Sequence, residues 1–264
     1  LNVWAAGDSG TIIYSSDKGE TWQIQNSNLQ QRIEDIFFLN DSLGWAVTWT
    51  SDGVFFQSQI MKTTNGGLDW ESEDYRHSNI LLFSILFVDS SRGWIGGEPF
   101  DLSYTDNGGM EWFPANIDSG SFTYFPIHEV KFSTPDLGFA VGGVNDAVGV
   151  VWNTINAGES WHAYGIGPDR FLDFVFTDTS EVLALSNEVE GAYPMGILNF
   201  DLLQSTFSYY EDTVYAIVYG MDIRTKNEIW ATLSDTRRDF LFSNDSLNTW
   251  HFIPTPDSLI AHDI

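Results

Sequence analysis

Residues 15–22 read Ser-Ser-Asp-Lys-Gly-Glu-Thr-Trp, and the same grammar returns in TTNGGLDW (63–70), TDNGGMEW (105–112), TINAGESW (154–161) and SNDSLNTW (243–250). Each copy sets a hydroxyl seven residues before its Trp (Ser15, Thr63, Thr105, Thr154, Ser243) and Asp or Asn five before (Asp17, Asn65, Asn107, Asn156, Asp245). Gly19, Gly67, Gly109 and Gly158 stand three before, and Leu247 takes that place in the last copy. The tryptophans are Trp22, Trp70, Trp112, Trp161 and Trp250. An Asp or Asn carbonyl oxygen accepts hydrogen bonds from amides just after it and so closes a turn on itself. Glycine supplies the positive φ that such a turn needs. The Trp then brings a large apolar surface to bury and an indole N–H to satisfy. A motif met five times in one chain reads as a structural device, because a catalytic one is seldom needed so often.

The spacing sets the architecture. Trp22 to Trp70 is 48 residues, Trp70 to Trp112 is 42, Trp112 to Trp161 is 49 and Trp161 to Trp250 is 89. The last interval is two periods of ~44, the length of a four-stranded propeller blade. A decayed copy is expected between them at NFDLLQSTF (199–207), with Phe207 in the Trp role. In phase with the octets run paired apolar segments, such as IEDIFF before GWAVTW and IHEVKF before GFAVGG. Short apolar runs bounded by Gly, Asp, Asn and Ser, with no long amphipathic helix, predict an all-β chain. Each repeat therefore reads as strands A, B and C, the octet turn, then strand D.

The chain opens on what reads as strands B and C and ends in LIAHDI, which reads as another strand A. The expectation is an all-β, six-bladed β-propeller of four-stranded antiparallel blades, closed by pairing the C-terminal strand with the N-terminal ones. Closure removes the open edges of the sheets. The alternative is an excerpt of a seven-bladed or longer array. One domain over 1–264 is expected, with blades at 259–264 plus 1–26, 32–78, 80–122, 126–165, 170–210 and 214–254.

The octets carry a resemblance to a known repeat. Ser15-x-Asp17-x-Gly19-x-x-Trp22 and its copies resemble the Asp-box, or BNR, repeat of sialidases, xyloglucan-type glycosidases, sortilin-like receptors and Ycf48-type photosystem II assembly factors. GWAV followed by TTNGGLDW most resembles the Ycf48-like and bacterial secreted propellers, and the likeness covers essentially the whole chain. It implies a fold more than a function, since the same blades host catalysts, receptors and assembly factors.

Composition narrows the partners. Lys and Arg number 11 against 37 Asp and Glu, a formal net charge of −26. Phosphate binding needs clustered basic residues, so nucleic acid is excluded as a partner. Anionic membrane surfaces are disfavoured for the same reason, and no apolar run approaches the ~20 residues of a membrane span. Neither an initiator Met nor a signal peptide begins the chain, so it reads as mature or as an excerpt. The expected setting is secreted, periplasmic or cell-surface, as a monomer or as part of a larger multidomain chain.

The search for catalysis returns few candidates. No cysteine is present, and the five His show no metal-binding spacing. No nucleophile elbow or phosphate loop appears. No catalytic residue, metal or cofactor is expected. Glycoside hydrolysis needs two carboxylates flanking a sugar, and among 37 acidic residues a pair is always available. A sialidase also needs convergent Arg for its substrate carboxylate, and RIED (32–35) lacks the Pro of the sialidase Arg motif.

Binding candidates fall in two places. Long connections, read at 50–59, 114–126, 187–194 and 234–239, carry Phe55, Tyr124 and Tyr193, which suit sugar stacking or a protein hot spot. Aligned A strands set Asp35, Ser84, Glu129, Asp173 and Asp263 in one column along the expected channel, with Arg32-x-x-Asp35 and Arg170-x-x-Asp173 at its mouth. The structural reading of that column is carboxylates bonding backbone amides and Arg of neighbouring blades. The functional expectation is a non-catalytic extracytoplasmic propeller that binds or scaffolds a glycan or protein partner on the long-loop face. The alternatives are an Asp-box-group glycoside hydrolase of xyloglucanase type and a Ycf48-like assembly factor.

Overall fold

A computed structural model describes residues 2–254, apart from 52, 119–121, 123, 190–191 and 234–238. The expected closing strand at 259–264, with Asp263, lies outside the described residues, as does most of the 234–239 connection. The chain divides into two compact units, Leu1–Ala115 and Asn116–Ile264.

The first unit carries β1 (Val3–Ala6), β2 (Thr11–Ser15) and β3 (Gln23–Asn26) in one sheet. Its second sheet holds β4 (Ile33–Phe38), β5 (Gly44–Ser51), β6 (Phe56–Thr63) and β7 (Glu71–Asp74). Its third holds β8 (Leu81–Phe87), β9 (Gly93–Glu98), β10 (Asp101–Thr105) and β11 (Phe113–Pro114). The second unit repeats the plan with β12 (Ile127–Phe132), β13 (Gly138–Val144), β14 (Val148–Thr154) and β15 (His162–Ile166). Then follow β16 (Phe171–Phe176), β17 (Glu181–Ser186), β18 (Gly196–Asp201) and β19 (Thr206–Glu211). The last sheet is β20 (Val218–Thr225), β21 (Glu228–Leu233), β22 (Asp239–Ser243) and β23 (His251–Pro254). Every sheet is an antiparallel meander in chain order, so the fold is the all-β, six-bladed propeller of four-stranded blades that the spacing predicts, with three strands of the first blade among the described residues.

Alternation along each strand builds the core. In β5, Trp45 and Val47 pack with Ile85, Phe87 and Trp112 of the next blade, while Ala46 packs with Ile12 of the previous one. Both faces of the middle strands are thus buried, which is why their sequences read as continuous apolar runs. Successive blades are also locked by ring stacking, Trp4 on Phe38 at 3.8 Å and Trp45 on Phe87 at 3.5 Å. The glycines that begin β5, β9 and β13 make room for this arrangement. A Cβ on Gly44, Gly93 or Gly138 would lie within 2.8 Å of the Phe38, Phe87 or Phe132 ring. The G-W and G-F pairs of the sequence are therefore a small residue under a ring, then a large one in the core.

The octets form one turn five times. Ser15 Oγ accepts from Gly19 N at 2.8 Å and donates to Asp17 Oδ1 at 2.7 Å, and Asp17 Oδ1 accepts from Thr21 N at 2.9 Å. The same three bonds recur around Asn65, Asn107, Asn156 and Asp245. Two successive residues turn through positive φ, and Ser246 (59°) and Leu247 (70°) do so without glycine. Thr21's hydroxyl, first among its donors, holds the Asp17 carboxyl down to about 2. The turns also bind blade to blade. Gly66 O accepts from the Trp4 indole at 3.1 Å and Gln25 Nε2 at 2.8 Å, and Gly108 O accepts from the Trp45 indole at 3.4 Å and Lys62 Nζ at 2.9 Å.

Two expectations for the octet anchors need correction. Trp70, Trp112 and Trp161 are buried, but Trp22 is 43% exposed. Phe207 does not take the Trp role. It is 46% exposed and stacks on Phe200, because Asp201 closes the β18–β19 turn by accepting from Gln204 N, a shorter loop than the octet turn. The octet indole is satisfied as expected at Trp250, which donates to Asp212 Oδ2 at 3.1 Å, but not in the three buried copies. Among the described residues Trp70, Trp112 and Trp161 have no acceptor for their N–H, and their rings instead stand edge-on to Phe38, Phe87 and Phe132.

Candidate functional site

In the five blades whose first strand lies among the described residues (β4, β8, β12, β16 and β20), that strand is an edge of its sheet and carries a β-bulge at the same place. The register shifts between Ile33 and Asp35, Leu82 and Ser84, Ile127 and Glu129, Phe171 and Phe174, and Val218 and Gly220. A bulge bends the strand and interrupts its ladder, so an amide there needs another acceptor. The aligned column supplies it. Asp35 accepts from its neighbour Ile36 N at 2.7 Å and, across to the next blade, from Ile85 N at 2.7 Å. Asp173 does the same with Phe174 N at 2.7 Å and Met221 N at 2.6 Å. Both carboxylates span two blades through backbone amides, as the structural reading of the column predicts.

The arginines pair differently from expectation. Arg32 lies 3.3 Å from Glu34 and 3.9 Å from Asp8 rather than on Asp35. The cation on Asp173 is Lys131, whose Nζ is 2.5 Å from Oδ1 and 3.1 Å from the Phe174 carbonyl. Asp173 is 5% exposed, so its pairing is what makes burial of the charge tolerable. Lys131 stands where β4, β8 and β16 place Phe37, Leu86 and Val175, and where β20 places another charged residue, Asp222. Arg170 is half-buried, and its Nε has no partner among the described residues. Glu129 is half-buried directly after the β12 bulge.

His128, the residue before it, was not among the sequence candidates. Burial, and then the nearby positive charge of Arg170, hold its pKa down to about 3. The folded value lies below the unfolded value of about 6.5. The unfolded chain therefore takes up the proton first, and this contribution to stability is lost as pH falls from about 6.5 towards 3. The expected loss between pH 7 and pH 5 is about 2 kcal/mol. His128→Gln should remove that pH-dependent part, so the stability gap between variant and parent should differ by about that much at the two pH values. A gap of equal size at pH 7 and pH 5 contradicts it. Urea denaturation at both pH values is the measurement.

The aromatic candidates are surface groups. Phe55 sits exposed in the β5–β6 hairpin, and Tyr124 and Tyr193 are exposed in the second unit. The connections are shorter than the sequence suggests. Thr50, Ser51 and Phe56–Gln59 belong to the β5–β6 ladder, leaving a loop of 52–55. Asn116–Asp118 runs along the next blade, with Trp161 N donating to Asn116 O at 2.8 Å and Asp118 N donating to Trp161 O at 2.9 Å. Val189 and Tyr193 bridge each other within 187–194. Phe55 belongs to one unit and the two tyrosines to the other.

A family model described as photosynthesis system II assembly factor YCF48 matches residues 27–255. The chain belongs to that family. Among curated YCF48 relatives, the photosystem II assembly lipoprotein Ycf48 of Synechococcus sp. strain CC9902 is 28% identical over 166 residues, 62% of this chain and 45% of the relative. The matched stretch thus spans less than half of that relative. Among solved structures, YCF48 bound to D1 peptide has a TM-score of 0.65 at 17% identity, covering 94% of this chain and 76% of that one. YCF48 from Cyanidioschyzon merolae reaches 0.69 at 16% identity, covering 97% and 82%. The GH74 enzyme of Niastella koreensis reaches 0.70 at 16% identity, covering 95% of this chain and 43% of the enzyme. At these identities the structural likenesses speak for the fold.

Proposed function

We propose that this YCF48-family chain is a non-catalytic, extracytoplasmic scaffold that holds a peptide segment of a protein partner during assembly of a larger complex. The family match over residues 27–255 carries the reading. A structural neighbour described as bound to D1 peptide supports a protein rather than a glycan as the ligand class. The site chemistry takes the two aspartates of the column out of consideration for hydrolysis. General acid–base work needs a carboxyl within reach of a bound substrate, and Asp35 and Asp173 are instead committed to amides of neighbouring blades. Among the described residues no helix is long and apolar enough to cross a membrane.

The test sets three arrays side by side: overlapping peptides from the non-cytoplasmic segments of membrane proteins of the source organism, a glycan array, and a panel of β-glucan oligosaccharides followed for hydrolysis. Saturable capture of a subset of peptides, with no turnover, is expected. Hydrolysis of an oligosaccharide, or glycan capture without peptide capture, overturns the reading.

A further inference from the structure

In the first unit a groove of about 700 Å³ opens between the second blade (β4–β7) and the third (β8–β11). The last strand of the second blade has four residues, but β11 has two, Phe113–Pro114. The third blade faces the groove with its octet residues Gly108–Trp112. Register places Lys62 beside Glu71 and Ile60 beside Glu73, so these four side chains share the face that looks into the groove. Ile60, Trp45 and Trp112 form an apolar floor continuous with the core. Met110, 72% exposed, forms part of the rim.

Acidic groups outnumber basic ones at this groove, five carboxylates against Lys62 and Arg76. Lys62 is already engaged by Gly108 O at 2.9 Å and lies 5.5 Å from the centre of the Trp45 ring. Arg76 lies over the Phe113 ring. Glu71 and Glu73 have no hydrogen-bond or ion-pair partner among the described residues, and Asp69, Asp74 and Glu111 add three more carboxylates to the lining. Trp112 lines the same groove at 4% exposure, and its indole N–H has no acceptor among the described residues. Asp69, Asp74 and Glu111 accept from Asn65, Gln59 and Asn107, so Glu71 and Glu73 over an apolar floor are the pair that asks for a ligand with cations and aliphatic stems.

We propose that this groove binds an extended peptide segment bearing Lys or Arg at alternate positions. Glu71 and Glu73 are two residues apart on one strand, a spacing of ~7 Å, and alternate side chains of an extended peptide repeat at the same distance. The long basic side chains lay their methylenes along Met110 and the tryptophans and carry their charges to the two glutamates. The proposal rests on the protein-binding reading above and gives it a partner chemistry and a place.

The probe is fluorescein-labelled Ala-Lys-Ala-Lys-Ala-Lys-Ala, followed by fluorescence anisotropy at about 150 mM salt, where long-range attraction to the acidic surface is screened. The groove variant is Glu71→Gln with Glu73→Gln. The control is Glu20→Gln with Glu181→Gln, which removes the same charge at exposed sites elsewhere. Both double variants should keep the parent melting temperature. Saturable binding to the parent is expected, weakened about tenfold by the groove variant and less than about twofold by the control, the size expected of two partly screened ion pairs. Equal loss in both double variants, or equal binding of the glutamate analogue of the probe, overturns the proposal. If the peptide array returns ligands while the lysine probe does not bind, the groove proposal alone falls. Silence from both removes the protein-binding reading as well.

Discussion

Trp161→Ala is expected to destabilise the protein by about 3–5 kcal/mol, the cost of emptying a packed aromatic site. Trp22→Ala, at the same octet position, is expected to cost about 1 kcal/mol, because only part of its apolar surface leaves water. Trp161 is fully buried and meets the Phe132 ring edge-on at 5.7 Å, whereas Trp22 is 43% exposed. The backbone of Trp161 also anchors Asn116 and Asp118, so the vacated space lies under a segment that depends on that strand. Urea midpoints of the two variants at pH 7 measure the difference. Similar costs would mean that the octet Trp acts through its turn rather than through burial.

Asp173→Ala is expected to cost about 3 kcal/mol, because it removes one partner of a buried pair and leaves the Met221 amide without its acceptor. Asp173→Asn should cost less, since the amide oxygen still accepts from Met221 N. Lys131 is 38% exposed and can turn towards water, so the amide carries much of the penalty. A double-mutant cycle separates the two parts. Lys131→Met alone should be mild, and adding it to Asp173→Ala should recover only the share that belongs to the unpaired ammonium. Full recovery would make the ion pair, not the amide bridge, the reason for the aspartate.

Most of the fold was legible because the octet is a local object. A hydroxyl, a carboxamide or carboxylate and a left-handed residue within five positions close the turn with no help from the rest of the chain, so spacing alone placed the blades. Leu247 shows how little the glycine is required once the hydrogen bonds are in place: it holds φ at 70° with the same Ser243 and Asp245 contacts. What spacing could not give was the neighbour. Trp22 and Trp161 occupy the same octet position and differ in what lies over them. Phe207 has the right ring but a turn set by Asp201. The Arg32 and Arg170 pairings failed because an i, i+3 separation on a bulged strand does not fix which way a long side chain points, while Glu34 and Asp8 lay nearer to Arg32. Lys131 was visible in the sequence of β12, but its partner sits 42 residues on. The column was legible because its position recurs from blade to blade as Asp35, Ser84, Glu129 and Asp173, although β20 places Gly220 there, and at Asp35 and Asp173 it answers a local need. For the first strands that need is an amide freed by the bulge.

Native-state hydrogen exchange of the Ile85 and Met221 amides tests the central claim, that the repeated carboxylates hold blades together and are not free for a ligand. Both amides are expected to exchange slowly in the parent although each sits next to an interruption in its ladder. Asp35→Ala should accelerate Ile85 and Asp173→Ala should accelerate Met221, each by more than it accelerates the amides of β5 or β21. Protection of Ile85 and Met221 that is unchanged in these variants would contradict the account, and would return Asp35 and Asp173 to the list of groups available to bind a ligand.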